Sequence, residues 1–256
     1  MLNYRSGAVS ILGSREEQQD SFYCRAGKDA AFAVVCDGMG GASGGGLASR
    51  RAAGRLLELY DQRNGGEPVP AFLLRAMDVV DESVVALQKE TENCRGAGTT
   101  LVAVVLEGNR LFWLSVGDSR LYILRKEEIV QVTRDHNLAL QLAQMPAAQR
   151  LAERERFGSF RPDALVSFVG MGGIELYDWN ETAFLVEAGD RLLLTTDGLT
   201  KVLTDGETRA AVRQGEPENA LKNLIAAATE KAAGSQDNTT CILIRAENEG
   251  GMPDVP

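Results

Sequence analysis

Five aspartates stand at the ends of predicted strands, where a sheet protein can bring side chains together at one edge. These residues are Asp20, Asp37, Asp118, Asp197 and Asp237. Carboxylate oxygens are the ligands that Mg²⁺ and Mn²⁺ prefer, and the pattern includes no His or Cys. Grouped carboxylates without cations repel one another and take up protons. The five positions together therefore predict a metal site built from oxygen ligands.

Each of these positions also has an ordinary interpretation. Asp-Gly is a common turn dipeptide, so Asp37-Gly38 taken alone favours a turn. Asp205-Gly206 is interpreted as a turn or an N-cap before a helix over 207–212. Arg15 lies five residues before Asp20 and is either a solvated turn charge or a bidentate clamp for phosphate.

Short strands and a few amphipathic helices must position these residues. Apolar runs of four to seven residues predict strands, and several are joined by connections too short for a parallel crossover. The runs cover residues 8–12, 31–36, 100–105, 110–116, 121–124, 128–132, 182–186, 191–195 and 239–245. Apolar spacing predicts helices over 47–60, 72–87 and 221–232. This order indicates antiparallel sheets with helices packed outside them.

Charge and cysteine content exclude several classes of protein. The 256 residues include 27 Lys and Arg against 36 Asp and Glu, a net charge of −9, so a basic footprint for nucleic acid is absent. The four cysteines form no CxxC pair and His136 is the one histidine, which excludes a zinc finger. The sequence has no run long enough to cross a bilayer and no signal-peptide pattern at its start. We expect a cytoplasmic, soluble monomer without nucleic-acid or membrane partners.

Two segments lack the strand pattern. Residues 137–161 are rich in Gln, Ala, Arg and Glu, which predicts a partly helical surface insertion. Residues 247–256 are rich in Gly, Pro and acidic side chains, which predicts a flexible tail.

The aspartates belong to a series of short motifs. In chain order the motifs are Arg15-Glu-Glu-Gln-Gln-Asp20, Val35-Cys-Asp-Gly-Met-Gly-Gly41, Gly96-Ala-Gly-Thr-Thr100, Val116-Gly-Asp-Ser-Arg120, Thr133-Arg-Asp-His136, Gly189-Asp-Arg-Leu-Leu-Leu-Thr-Thr-Asp-Gly-Leu199 and Asp237-Asn-Thr-Thr240. Any one of them is a modest signal, whereas the full series in this order is specific. On these motifs the chain resembles the metal-dependent protein phosphatase family (PPM, protein phosphatase 2C type), as a bacterial-like single-domain member.

The resemblance implies a fold and an activity. The fold is α+β, a four-layer αββα sandwich of two antiparallel β-sheets flanked by helix pairs, with a small flap over about 137–175. One catalytic domain would span 1–246, followed by the tail over 247–256. The activity is hydrolysis of phosphoserine and phosphothreonine in proteins, with Mn²⁺ or Mg²⁺ as cofactor, two or three ions per chain. A metal-bridged hydroxide would attack phosphorus directly, without a phosphoenzyme.

The resemblance also implies which residues hold the metals. Asp37 would bridge two ions, and the Gly38 carbonyl would bind one of them. Asp197 and Asp237 would complete the ligands of the other ion. Asp20 would hold metal-bound water.

Two further roles and several departures complete the comparison with the family. Asp118 would mark a third, weaker metal, and Arg15 would bind phosphate, so that Arg15 and Asp37 are the implied catalytic residues. Met39 stands where some members have a histidine proposed as general acid. Gln19 stands at a position that is often acidic, and we interpret His136 as structural. Substrate preference is expected to reside in the flap.

Three functional hypotheses remain from the sequence. The first is an active phosphoprotein phosphatase that acts on the targets of a cognate Ser/Thr kinase. The second is a non-catalytic regulatory or binding domain that keeps the sandwich, to which Met39 and Gln19 give weight. The third is a metal-dependent phosphatase of small phosphoesters, which the sequence separates from the first only by analogy.

Overall fold

A computed structural model of the chain describes residues 1–40, 44–146, 149 and 161–249. Within these residues the strands are β1 (Leu2–Ile11), β2 (Asp20–Gly27), β3 (Ala30–Met39), β4 (Gly98–Thr99), β5 (Leu101–Glu107), β6 (Arg110–Val116), β7 (Arg120–Arg125), β8 (Glu128–Gln131), β9 (Asp178–Trp179), β10 (Phe184–Leu185), β11 (Arg191–Thr195) and β12 (Thr239–Asn248). The α-helices are α1 (Gly44–Asp61), α2 (Val69–Glu90), α3 (Leu138–Ala143), α4 (Asp197–Thr200), α5 (Asp205–Val212) and α6 (Pro217–Ala232), and a 3₁₀ turn covers Glu92–Cys94.

The strands form two sheets in which all neighbouring strands are antiparallel. One sheet has the order β1-β12-β11-β7-β8. The other has the order β10-β6-β5-β3-β2, with β4 paired to β3 and β9 paired to β6. The short connections predicted from the sequence account for this pairing, because a two-residue turn such as Gly108-Asn109 can only return the chain beside itself.

Alternation of side chains along the strands creates four layers. One face of each sheet contributes to a shared apolar cluster, as with Val104 of β5 and Leu194 of β11. The opposite face of β5 packs against α1 and α2, where Phe72 is fully buried. The opposite face of β11 packs against α5 and α6, where Leu224 is fully buried. The αββα sandwich of two antiparallel sheets is therefore confirmed.

Several boundaries differ from the prediction. Strand β1 begins at Leu2 rather than at residue 8, because all ten of its residues pair with β12. Strand β12 correspondingly continues to Asn248, so the expected start of the tail at residue 247 is two residues too early. Thr204, not Asp205, caps α5: its side chain accepts from the N–H of Glu207 in a capping box, which makes Asp205 the first helical residue.

The predicted insertion is only partly described. Helix α3 opens it, and the Asn137 side chain caps that helix by accepting from the Leu140 N–H. Residues 147–148 and 150–160 lie outside the described residues. The chain returns through Leu165, which forms a β-bridge with Asn137. Among the described helices, none is long and apolar enough to cross a membrane.

A buried carboxylate on α2 binds the segment that follows the insertion. Asp81 is 3% exposed and accepts from the N–H groups of Gly170, Gly172 and Gly173 at 2.6, 3.1 and 2.8 Å. Just before these glycines, Val169 forms a β-bridge with Thr99. The Asp81 side chain thus fixes a loop that contacts the β3–β4 region.

We expect Asp81→Ala to lower the free energy of unfolding by about 3 kcal/mol or more, because three backbone donors lose a charged acceptor. That loss corresponds to a melting temperature roughly 6–12 °C lower in a chain of this size. Asp78→Ala is the matched control, since Asp78 lies exposed on the same helix and its loss should change stability by less than about 0.5 kcal/mol. Equal effects of the two substitutions in calorimetry would contradict the anchoring role.

Candidate metal centre

The Asp37-Gly38 dipeptide is not a turn. Strand β3 continues through both residues to Met39, and Asp37 lies opposite Asp20 in the pairing of β2 with β3. Gly38 in turn pairs with Thr99 of β4. Adjacent strands therefore place the two carboxylates side by side, at the end of the seven-stranded sheet.

Two glycines next to site aspartates permit close approach of neighbouring backbone. A Cβ on Gly38 would lie 2.0 Å from the Gly45 carbonyl oxygen at the start of α1. A Cβ on Gly198, which follows Asp197, would lie 2.0 Å from the Asn238 carbonyl oxygen. Neither position can accept a side chain without moving backbone, so each Asp-Gly pair is required by packing rather than by turn geometry.

Threonine hydroxyls contact the Asp20 carboxylate and the Asp37 backbone. Thr196 donates to Asp20 Oδ2 at 2.9 Å and accepts from the Thr240 N–H at 2.9 Å. The hydroxyl of Thr100 accepts from the Asp37 N–H at 2.9 Å. Asp20 is 5% exposed, and its second oxygen, Oδ1, is buried without a hydrogen-bond partner. That oxygen is available to a cation.

The other three aspartates approach from separate elements. Asp118 follows β6, Asp197 opens α4 directly after β11, and Asp237 precedes β12. Burial raises the pKa of Asp37 well above its usual value, and the charges of the four other aspartates each raise it further. Five carboxylates distant in the sequence therefore lie within electrostatic reach of one another.

The pKa values of two neighbouring carboxyl groups are raised as well. Burial raises the pKa of Asp20 to about 7; the hydroxyls of Thr240 and Thr196 oppose the shift, and the charges of Asp197 and Asp237 add to it. The pKa of Asp118 also rises to about 7, mainly through burial and then through the charge of Asp197. Carboxylates held together in this way are stabilised either by protonation or by a bound cation.

Two of the aspartates form ion pairs with basic side chains of the chain itself. Arg15 binds Asp237 through two contacts of 2.8 Å, from Nε to Oδ1 and from an Nη to Oδ2. Lys201 Nζ forms a salt bridge with Asp197 Oδ2. Within the described residues, no group of three or more His, Cys, Asp or Glu side chains forms a metal-binding cluster in this arrangement. A dication at Asp197 or Asp237 must therefore compete with these cations.

The donor set nevertheless fits hard divalent ions. The available groups are carboxylates and backbone carbonyls, the oxygen ligands of Mg²⁺ and Mn²⁺. The unpartnered Asp20 Oδ1 and the mutual repulsion centred on Asp37 are both relieved by a cation. The predicted residues are brought together at one end of the sandwich, although the side chains are not arranged as a closed cage.

Sequence reasoning missed the side chains that complete this centre. Lys201 stands four residues after Asp197, an i,i+4 spacing that indicates an ion pair once a helix is recognised there. The hydroxyls of Thr100 and Thr196 carried no comparable signal, because their partners are distant in the sequence. His136 is buried and accepts from the Gly117 N–H through Nδ1, which agrees with its interpretation as structural.

We expect Lys201→Met to tighten Mn²⁺ binding about fivefold, because removal of one competing positive charge contributes ~1 kcal/mol at a solvated site. Isothermal titration with Mn²⁺ measures the change directly. Lys201→Arg retains the charge and should bind within about twofold of the parent chain. Weaker binding by the Met variant would instead assign Lys201 a supporting role at the centre.

The comparisons with known proteins show the family of the chain. The model of the protein phosphatase 2C family matches residues 10–232, so the chain belongs to that family. Serine/threonine protein phosphatase PstP of Mycobacterium tuberculosis is 32% identical over 233 residues, which cover 90% of this chain and 42% of the relative. The chain thus spans about two fifths of that relative's length. Serine/threonine phosphatase stp of Listeria monocytogenes is 26% identical over 82% of each chain.

Solved structures show the same architecture. The M. tuberculosis phosphatase PstP/Ppp superposes with a TM-score of 0.82 and 29% identity, over 96% of this chain and all of that one. The catalytic domain of PstP in complex with two manganese ions has a TM-score of 0.80 and 28% identity, over 97% of this chain and all of that one.

Proposed function

We propose that this chain is a Mn²⁺- or Mg²⁺-dependent phosphatase that hydrolyses phosphoserine and phosphothreonine in proteins. The observation that carries the proposal is the pairing of Asp20 opposite Asp37, with Asp20 Oδ1 buried and without a partner, in a chain of the protein phosphatase 2C family. Names of relatives and of solved structures support the substrate class and the use of two manganese ions. The proposed partners are cytoplasmic phosphoproteins and the Ser/Thr kinase that phosphorylates them, and the proposed state is a monomer.

The metal ligands on this proposal are carboxylates and one carbonyl oxygen. The residues that would hold two or three ions are Asp20, Asp37, Gly38, Asp118, Asp197 and Asp237. Bound ions supply positive charge for the phosphoryl oxygens and lower the pKa of water, which makes a direct hydrolysis possible at neutral pH. The Thr196 hydroxyl holds the Asp20 carboxylate, and the Thr100 hydroxyl holds the backbone N–H of Asp37.

On this proposal, Arg15 would bind the phosphoryl group. Its side chain is 60% exposed while its guanidinium lies against Asp237 at the rim of the centre. A guanidinium fits two phosphoryl oxygens at once, so the negative charge of the substrate can be met even in a chain of net charge −9. On substrate binding, the Arg15 guanidinium would then leave Asp237 and bind the phosphate.

A non-catalytic binding domain is the second candidate. The observation in its favour is that Lys201 and Arg15 neutralise Asp197 and Asp237 within the chain. In that case, purified protein would show no Mn²⁺-dependent turnover.

Hydrolysis of p-nitrophenyl phosphate tests the proposal. Activity is expected with Mn²⁺ and absent with EDTA, and a phosphothreonine peptide should be hydrolysed faster than sugar phosphates. No turnover with any metal would favour the binding domain. Faster turnover of sugar phosphates would assign the chain to small phosphoesters instead.

A further inference from the structure

A groove lined by arginines runs along α1 beside α2. Its volume is about 570 Å³, and what we call the arginine groove is lined by Arg50, Arg51, Gly54, Arg55, Glu58 and Ser83, together with Leu47 and Leu87. Guanidinium groups bind phosphate in a bidentate manner, so a lining with three arginines favours a phosphorylated ligand.

The three arginines are not neutralised to the same extent. Arg55 forms a salt bridge of 2.9 Å with Glu58, its neighbour one helical turn away. Arg51 donates to the Ser83 carbonyl and lies 3.9 Å from Glu90, which is 63% exposed. Arg50 is exposed and forms no ion pair with any residue that the structure describes. The groove therefore keeps positive charge in a chain whose net charge is −9.

Gly54, which has no side chain, leaves open space between these arginine side chains. A glycine inside a helix costs about 1 kcal/mol relative to alanine. A Cβ at Gly54 would meet no atom within 4 Å, so close packing does not require the glycine. Its effect is to leave space on the surface of α1 between Arg50 and Arg55, where a ligand can lie.

The groove begins next to the metal centre. Helix α1 is fixed there, since Gly45 packs against Gly38 and the Ser49 hydroxyl donates to the Gln19 carbonyl. Arg50 Nη1 lies 3.4 Å from the Cβ position of Gly46, which itself is 3.1 Å from the Gln18 carbonyl oxygen. At 1.5 Å per residue, Arg50 and Arg55 are displaced along α1 from Gly45 by about 8 and 15 Å.

We propose that the arginine groove binds a second phosphorylated residue of the substrate while the first lies at the metal centre. An extended peptide covers roughly 3.3 Å per residue, so the two phosphoresidues would be separated by about two to five positions. The inference rests on the proposed function and narrows it to multiply phosphorylated protein segments. The docked phosphate stays on the peptide, and only the phosphate at the metal centre is hydrolysed.

Binding of a fluorescent peptide with two phosphothreonines four positions apart tests the inference. Anisotropy is measured with Mn²⁺ bound, on a peptide in which non-hydrolysable phosphonate analogues replace both phosphothreonines, against the same peptide with one analogue replaced by threonine. The second phosphate should tighten binding about tenfold, as expected for two partly exposed charge pairs of ~0.7 kcal/mol each. The ratio of the two dissociation constants, for the singly and the doubly phosphorylated peptide, should fall to twofold or less in the double variant Arg50→Gln/Arg55→Gln.

Two further variants separate the groove from general charge. Gly54→Gln fills the groove without changing its charge and should also reduce the ratio, while circular dichroism shows an intact fold. The control Arg25→Gln/Arg75→Gln also removes two positive charges, but outside the groove, where they pair with Asp61 and Glu67. This control should leave the ratio near tenfold. Hydrolysis of p-nitrophenyl phosphate with Mn²⁺ should be the same in all of these chains.

The outcomes distinguish this inference from the proposed function. Suppose the chain hydrolyses p-nitrophenyl phosphate but the second phosphate does not tighten binding. The inference about the groove is then overturned, and the proposed function stands. The same holds if the second phosphate tightens binding equally in the Arg50→Gln/Arg55→Gln and Gly54→Gln variants. A tenfold effect of the second phosphate that these variants abolish, in a chain without turnover, overturns the catalytic proposal and supports the groove.

Discussion

Asp37→Asn should lower kcat for p-nitrophenyl phosphate by at least about 1000-fold, equivalent to ~4 kcal/mol of transition-state stabilisation. The physical reason is that Asp37 is the carboxylate toward which the charges of the other four aspartates converge. On the proposed function, loss of its charge would remove one of the metal ligands. Mn²⁺ binding measured by titration calorimetry should weaken in parallel, which ties the loss of activity to the metal.

The same substitution should stabilise the fold when EDTA is present. The charge of Asp37 is opposed by burial and by its neighbours, and an amide of equal size removes that repulsion. A higher melting temperature together with lost activity therefore marks a functional carboxylate that destabilises the folded chain. Asp78→Asn, an exposed change on α2, should alter neither property. Retained activity in Asp37→Asn would eliminate this residue as a metal ligand.

The stability of the chain in EDTA should fall as the pH rises from about 4 to about 7. Asp20 and Asp118 have folded pKa values of about 7 against an ordinary value of 3.8. Over this range the unfolded chain has released protons that the folded chain still holds, so the free energy of unfolding decreases with pH. Above pH 7 this contribution stays lost. Scanning calorimetry at pH 5 and pH 7.5 should therefore give the lower melting temperature at pH 7.5.

Mn²⁺ should reverse this loss at pH 7.5. At 100 times its dissociation constant, a ligand stabilises the folded state by ~2.7 kcal/mol per site, or roughly 5–10 °C in a chain of this size. The Asp37→Asn chain serves as the control, with a much smaller shift expected. Equal melting temperatures at the two pH values and no response to Mn²⁺ would contradict a cation site at these carboxylates.

The sequence predicted the architecture well because the architecture depends on local patterns. Alternating apolar runs and short connections determine antiparallel sheets, and spacing of three and four determines α1, α2 and α6. Asp37-Gly38, which taken alone favours a turn, lies within strand β3 for a physical reason. Gly38 pairs with Thr99, sixty-one positions later, and that long-range pairing extends β3 past a dipeptide that locally favours a turn.

The five aspartates of the candidate centre stay a prediction from the sequence, and the sequence did not indicate the groups that contact them. The motif series pointed to the five aspartates, and the structure brings them within electrostatic reach of one another. The ion pairs of Asp197 with Lys201 and of Asp237 with Arg15 depend on side-chain conformation, which the sequence does not specify. The burial of Asp20 Oδ1 without a partner likewise became visible only in three dimensions.

The hydrogen bond from Thr196 to Asp20 joins the two halves of the sandwich at the point where chemistry is proposed. Asp20 belongs to β2 of one sheet, whereas Thr196 follows β11 of the other and also accepts from Thr240 of β12. On the proposed function, catalytic competence therefore depends on the contact between the sheets, and neither sheet carries it alone. In rising urea, sliding of one sheet against the other would abolish turnover at concentrations where each helix and strand is still intact.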